Sequence, residues 1–182
     1  MSPGGHFATT LAACAVGAAT GHSWPLVAGI AAGGFLIDVD HAVDYVLFDG
    51  QRDLRPNTFL RYYLDGHMQR TVLILHSWEL FALLAVVAWV TGWSWLVGWL
   101  IGGTMHLALD LVFNGRQTPR SIVAFYSFAY RAAHRFEAAR LLGNEPRPPV
   151  DFRFWRAFFG AKDPASAVLD STADHASPRR RG

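Results

Sequence analysis

Four separate stretches of this chain carry side chains able to do chemistry: His6; Asp38, Asp40 and His41; His76 and Glu79; His106 and Asp110. His106 and Asp110 are four residues apart, so on a helix they share one face. Asp38 with His41, and His76 with Glu79, are three apart and do the same. On a regular helix Asp40 faces away from Asp38, where it binds a second ion or orients a ligating imidazole. Carboxylates gathered together repel one another, and Arg70 is the nearest basic residue in the sequence. A divalent cation removes that repulsion. Imidazole and carboxylate without thiolate suit zinc first, with manganese or iron as alternatives. Such a metal makes water a nucleophile near neutral pH. Glu79 is the carboxylate best placed to act as general base, and Asp40 is a catalytic candidate as well as a ligand.

The spacing of apolar residues predicts the elements that bring these groups together. Helix 1 is expected over about 5–20, helix 2 over 25–46, helix 3 over 69–90 and helix 4 over 95–113. Turns fall at Gly21–Pro25 and Thr91–Ser94, and a polar connection spans 49–66. Because the chain reverses after helices 1 and 3, an up-down bundle brings all four groups to one end. His6 lies 15 residues before Gly21, Asp38 13 after Pro25, His76 15 before Thr91 and His106 12 after Ser94. At about 1.5 Å per residue, all four sit roughly 18–23 Å from the distal turns. Three Gly-x-x-x-Gly spacings, Gly17 with Gly21, Gly29 with Gly33 and Gly98 with Gly102, favour close helix packing.

Composition points to lipid. Of 182 residues, 52% are hydrophobic and 16% charged, against roughly 25% charged in an average soluble domain. No Asp, Glu, Lys or Arg precedes Asp38, and 26 residues without an ionisable group separate Glu79 from His106. A soluble bundle with buried helices is the competing reading. The N-terminal stretch lacks the basic region of a cleaved signal. Trp24, Trp93 and Trp95 at the distal turns read as an interfacial aromatic belt. Cys14, the one cysteine, reads as a small buried residue. His22, His67, His134 and His175 read as surface or interfacial residues. Beyond residue 113, 12 Lys and Arg stand against 6 Asp and Glu, a bias that keeps such segments cytoplasmic. No nucleic-acid reader motif accompanies it, so membrane lipids, not nucleic acid, are the expected partner.

The domains expected are a membrane-embedded metal-site domain over 1–115, an amphipathic and interfacial segment over 116–162, and a disordered tail over 163–182. Within the second, 118–142 is expected to be one amphipathic helix. Ile122, Phe125, Phe128 and Phe136 would lie on its apolar face, with Arg131, Arg135 and Arg140 towards water or headgroups. Three prolines at 146–149 end it, and Phe154, Trp155 and Phe158 suggest a short interfacial helix. The Arg179–Arg181 triplet suits anionic lipid.

The string Phe35-Leu-Ile-Asp-Val-Asp-His41 resembles the Leu-Pro-Asp-Ile-Asp-His motif of the YdjM-like family of inner-membrane-bound, metal-dependent hydrolases, also described as LexA-binding. That family has an early His, then this motif, then a His-Ser, then Ser-His-x-x-x-Asp. Here the matching parts are His6, Asp38 to His41, His76-Ser77, and His106 to Asp110, over about residues 1–115. Ile37 replaces the motif proline, Thr104-Met105 precedes His106, and His67-Met-Gln-Arg70 stands at a longer spacing before His76. The resemblance implies metal ligation by His6, Asp38, Asp40, His41, His76, His106 and Asp110. LexA binding is not carried over.

The expectation is therefore an all-α, four-helix up-down membrane bundle of two hairpins with C-terminal amphipathic helices. It would be multi-pass in an inner membrane, with termini and a one- to three-metal site on the cytoplasmic side. The reaction expected is hydrolysis of a phosphoester or a small, lipid-like substrate. Metal binding or transport without turnover, and a noncatalytic scaffold, are the rival readings.

Overall fold

A computed structural model describes residues 1–114, 121–143 and 153–160. The expected residue 163–182 tail, the prolines at 146–149, His175 and Arg179–Arg181 lie outside these residues. The fold is all-α among the described residues. The long elements are α1 (Pro3–Ala19), α2 (Trp24–Gly34), and, after intervening short helices, α5 (Trp78–Thr91) and α6 (Ser94–Asn114). Ser2 caps α1 by accepting from the Gly5 amide, and Pro25 lies in the first turn of α2. Gly92 ends α5 in the left-handed conformation, φ 63°, which is where a helix C-terminus favours glycine.

The centre of the fold is the contact of α2 with α6. Its cause is steric. A Cβ placed on Gly29 would lie 2.1 Å from the Trp95 carbonyl oxygen, and one on Gly33 would lie 2.0 Å from that of Trp99. From the other side, a Cβ on Gly98 or Gly102 would lie 2.0 or 2.2 Å from the carbonyl oxygens of Leu26 or Ile30. Two of the three Gly-x-x-x-Gly pairs thus interleave and let the backbones touch, as such pairs do in close helix crossings. The third pair does not: Gly17 meets only ordinary contacts and Gly21 faces open space. Residue numbers rise together along this contact, so α2 and α6 run parallel. Their C-terminal ends, carrying Asp38 and His106, come to the same side.

Helix 2 does not run unbroken to residue 46. It stops at Gly34, bends by 46°, and continues as a 3-10 turn (Leu36–Asp38), α3 (Val39–Val43) and a π turn (Asp44–Phe48). Gly33 and Gly34 are weak helix formers. A Cβ on Gly34 would lie 2.5 Å from Thr10 Oγ1, so α1 needs a glycine there. Helix 3 does not begin at residue 69. Residues 70–77 are largely irregular, with Leu73 at φ 45°. Carboxylates take the amides that a helix would have used. Asp49 accepts from Gln69 and Arg70, Asp44 from Val72 and Leu73, and Asp40 from Leu75. Side-chain acceptors of this kind compete with the helical ladder.

Two further expectations are corrected. The 49–66 connection is not wholly irregular but contains α4 (Pro56–Leu64), which Pro56 opens. Of the 118–142 segment, the described residues from 121 on form three short helices: α7 (Ile122–Phe125), α8 (Phe128–Ala133) and α9 (Ala138–Leu142). Ser121 and Ser127 each cap a new start, and Arg135 and Phe136 adopt positive φ. Arg131, expected to face outwards, is 0% exposed. A last helix, α10 (Phe154–Phe159), packs on α1 and α4.

Among the described residues, one helix, α6, is long and apolar enough to cross a membrane, and the bent pair 24–48 passes the same test as one span. α5 is apolar but shorter. Its Leu83, Val86, Trp89 and Val90 are 60–89% exposed, a stripe at helical spacing left largely uncovered by the described residues.

Candidate metal centre

Helix reversal and the α2–α6 contact bring the four stretches into one cluster. His76 Nε2 and His106 Nε2 lie 3.2 Å apart, and Asp38 Oδ1 lies 3.5 Å from the first and 3.4 Å from the second. Zinc ligands at 2.0–2.1 Å in tetrahedral geometry are separated by about 3.3–3.4 Å. The triangle of Asp38, His76 and His106 therefore already has the size of one face of a zinc coordination tetrahedron.

The tautomers agree. His106 Nδ1 donates to the Gly34 carbonyl at 2.9 Å. That carbonyl is released by the break in helix 2, since the Asp38 amide turns to Phe35 instead. His76 Nδ1 donates to the Asp40 carboxylate at 3.0 Å. With both Nδ1 atoms carrying the proton, both Nε2 lone pairs face the shared point. Imidazoles oriented through the far nitrogen by a carbonyl or carboxylate are typical of ligating histidines. Two lone pairs at this separation repel unless a cation or a proton lies between them.

Two further groups flank the triangle. His6, His106 and Asp110 offer ligand atoms within 4.8 Å of one another, and so do Asp40, His41 and His76. The His6 ring stacks on His106 with centroids 3.8 Å apart, and His6 Nε2 lies 3.0 Å from Asp110 Oδ1. His6 Nδ1 is buried without a partner among the described residues, so His6 lacks the orienting bond that His76 and His106 have. His41 is one-third exposed, and its Nε2 is 3.8 Å from Asp38. His106 and His76 belong to two groups each, so the seven residues form one continuous row. No Lys or Arg pairs with Asp38, Asp40 or Asp110 among the described residues. Asp110 pairs with the N-terminal ammonium of Met1 at 2.9 Å, whereas Asp38 and Asp40 face imidazoles, and burying carboxylates without a fixed cation is expensive.

Asp38 and Asp40 both reach His76, which a regular helix would not allow. Asp38 ends the 3-10 turn while Asp40 lies in α3, and across that change of helix Asp38 meets Nε2 and Asp40 meets Nδ1. Asp40 is thereby a supporting residue to His76, one of its two expected roles. Glu79 is not brought to the cluster. Its oxygens accept from Ser127 Oγ and the amides of Phe128 and Ala129, so it caps α8 and faces away from the site. His67 is exposed, as expected.

Several functional residues escaped the sequence. Tyr126 donates its hydroxyl to Asp110 Oδ2 at 3.1 Å, and its ring stacks beside His76. Burial, reinforced by Asp110, pushes that hydroxyl well above the ordinary tyrosine range, so it stays a donor. Tyr63 donates to the His41 carbonyl at 2.5 Å. Arg131 donates to the carbonyls of Val72, Leu73, His76 and Phe125 at 2.6–3.1 Å. It binds the carbonyls of the strip whose amides the aspartates hold. Burial draws its guanidinium down to about 10, still charged at neutral pH. A lone Arg in an amphipathic pattern gives no sequence signal for this role.

A cavity of about 440 Å³ opens beside the cluster, lined by His6, Asp38, His41, His76 and Asp110 at one part and mostly by apolar side chains elsewhere. Searches against family models, curated proteins and solved structures find no match to this chain.

Proposed function

We propose that this chain is a membrane-embedded, metal-dependent hydrolase whose primary metal is held by Asp38, His76 and His106. The observation that carries the reading is the 3.2–3.5 Å triangle of these three ligand atoms, with both imidazoles oriented through Nδ1. Zinc is the metal this geometry suits best. When bound, such a metal supplies Lewis acidity and makes water nucleophilic near neutral pH. Asp40 fixes the His76 ring, Gly34 fixes the His106 ring, and Tyr126 holds Asp110. His6 with Asp110, and His41 with Asp40, are the positions for further ions. With Glu79 engaged in capping α8, the carboxylates lining the cavity are Asp38, Asp44 and Asp110, and these are the groups able to take a proton there.

Membrane embedding is supported by the apolar length of α6, by the bent 24–48 pair, and by the unpartnered stripe on α5. In this reading all four long segments lie in the bilayer, and the cluster faces the cytoplasmic side together with the Arg-rich C-terminal region. The cavity supports a substrate-processing role over a purely structural one, because a scaffold needs no space beside its polar groups.

Metal analysis of protein purified in detergent tests the centre. Wild type is expected to hold stoichiometric metal, and His106→Ala and Asp38→Ala are expected to lose it. Equal metal in all three sinks the reading. Full metal content with no turnover on a broad panel of esters and phosphoesters leaves a binding protein instead.

A further inference from the structure

The cavity beside the cluster is chemically two-sided. One part is the His and Asp row. The rest is mostly apolar, with Phe59, Leu60 and Leu64 from α4, Phe113 from α6, Leu142 from α9 and Ala157 from α10, and with Asp44, Tyr63, Thr71 and Asn114 among them. At about 440 Å³ it falls within the roughly 300–1,000 Å³ typical of small-molecule sites. Arg70 also lines it. The Arg70 amide is bound by Asp49, but among the described residues its guanidinium has no carboxylate within ion-pair distance. It is thus a cation on the wall of a cavity whose floor is built to hold another.

Resting on the hydrolase reading, we infer that the substrate is an anionic amphiphile: a phosphoester head group bound between the metal row and Arg70, with an alkyl chain along the α4, α9 and α10 wall. Charge complementarity selects the head. A tetrahedral anion satisfies both a metal and a guanidinium, which pairs with phosphate oxygens through a planar fork of donors. The apolar wall selects the tail, because water against Phe59, Leu64 and Phe113 is released when a chain replaces it. A free phosphate or a small soluble phosphoester would use the first half of the cavity and leave the second half wet.

Binding of alkylphosphonates, which carry no hydrolysable ester, tests this independently of turnover. Butyl-, hexyl- and octylphosphonate, inorganic phosphate and 1-octanol are titrated calorimetrically into zinc-loaded protein in nanodiscs, with empty discs as baseline. Affinity is expected to rise with chain length, by up to about fourfold per methylene, and to exceed that for inorganic phosphate. Arg70→Gln is expected to weaken octylphosphonate about tenfold and leave 1-octanol unchanged. Ala157→Trp fills the wall from a surface helix and is expected to remove the chain-length gain while leaving inorganic phosphate unaffected. Equal affinity for butyl- and octylphosphonate, or for octylphosphonate and phosphate, overturns the proposal. So does indifference to both substitutions. Metal content measured on the same samples separates the two readings. Loss of the metal centre would appear as empty wild type, while the chain-length series in metal-free protein would still report on the wall.

Discussion

Replacing Gly33 by alanine is expected to open the α2–α6 contact and release the metal. The new Cβ would sit 2.0 Å from the Trp99 carbonyl oxygen and 2.8 Å from the Gly103 nitrogen, and all of these atoms are backbone and cannot turn away. Restoring an ordinary contact of 3.4–4 Å requires the helices to separate by roughly 1.4–2.0 Å. Overpacking of this kind costs about 1–3 kcal/mol. The effect on the site is steeper. Asp38 and His106 lie just beyond this contact, 3.4 Å apart at their ligand atoms. An added ångström takes them past about 4.2 Å, the widest gap that two ligands at 2.0–2.1 Å can span even on opposite sides of one ion. The His106 bond to the Gly34 carbonyl is stretched by the same movement. Gly17→Ala is the matched control, since its Cβ meets only Val27 Cγ2 at 3.4 Å, and alanine is favoured inside a helix by about 0.5–1 kcal/mol. Thermal unfolding in detergent and metal content by mass spectrometry measure both effects. If Gly33→Ala keeps its metal and its melting temperature, or if Gly17→Ala falls as far, the close-contact argument is refuted.

Arg131→Met leaves four buried carbonyls without their donor and is expected to destabilise the fold by at least about 2 kcal/mol. Metal affinity should fall with it, because the strip carrying His76 loosens, and unchanged affinity would show that the strip holds itself. Glu79→Gln is expected to cost about 1 kcal/mol through the weakened cap on α8 and to leave metal content and any turnover intact. A loss of turnover at full stability would return Glu79 to the general-base role. Brominated lipids should quench tryptophan fluorescence strongly in reconstituted protein. Trp89→Phe should remove a clear share of that quenching, because Trp89 is 89% exposed on the α5 stripe. Quenching that is absent, or indifferent to this substitution, would argue for a soluble bundle.

The sequence revealed the cluster better than the backbone that builds it. Spacing along apolar runs placed His6, Asp38, His76 and His106 at one depth, and they meet there, because helix rise depends little on the details of each end. What spacing could not reveal was where helices fail. The break at Phe35 follows from Gly33 and Gly34 being needed by α6 and α1, a demand visible only once those neighbours are in place. The irregular strip at 70–77 forms because aspartates 20 to 35 residues earlier in the chain claim its amides. Arg131 carries the reverse lesson: periodicity assigned it to the surface, whereas it goes inside to satisfy the carbonyls of that same strip. Its burial has no local signature.

In the membrane-embedded reading proposed above, the shortness of α5 sets how deep the cluster would lie. At 14 residues this helix rises only about 21 Å, well under the roughly 30 Å of a bilayer's hydrocarbon layer. With its outward stripe in lipid, as that reading requires, the imidazole of His76 would begin several ångströms beneath the headgroups. Backbone that is not helical survives at such a level only when wrapped by protein, which is the service that Asp40, Asp44 and Arg131 perform. A reactant confined to the aqueous phase would have to descend to reach that level, whereas one already resident in the leaflet needs only to move sideways.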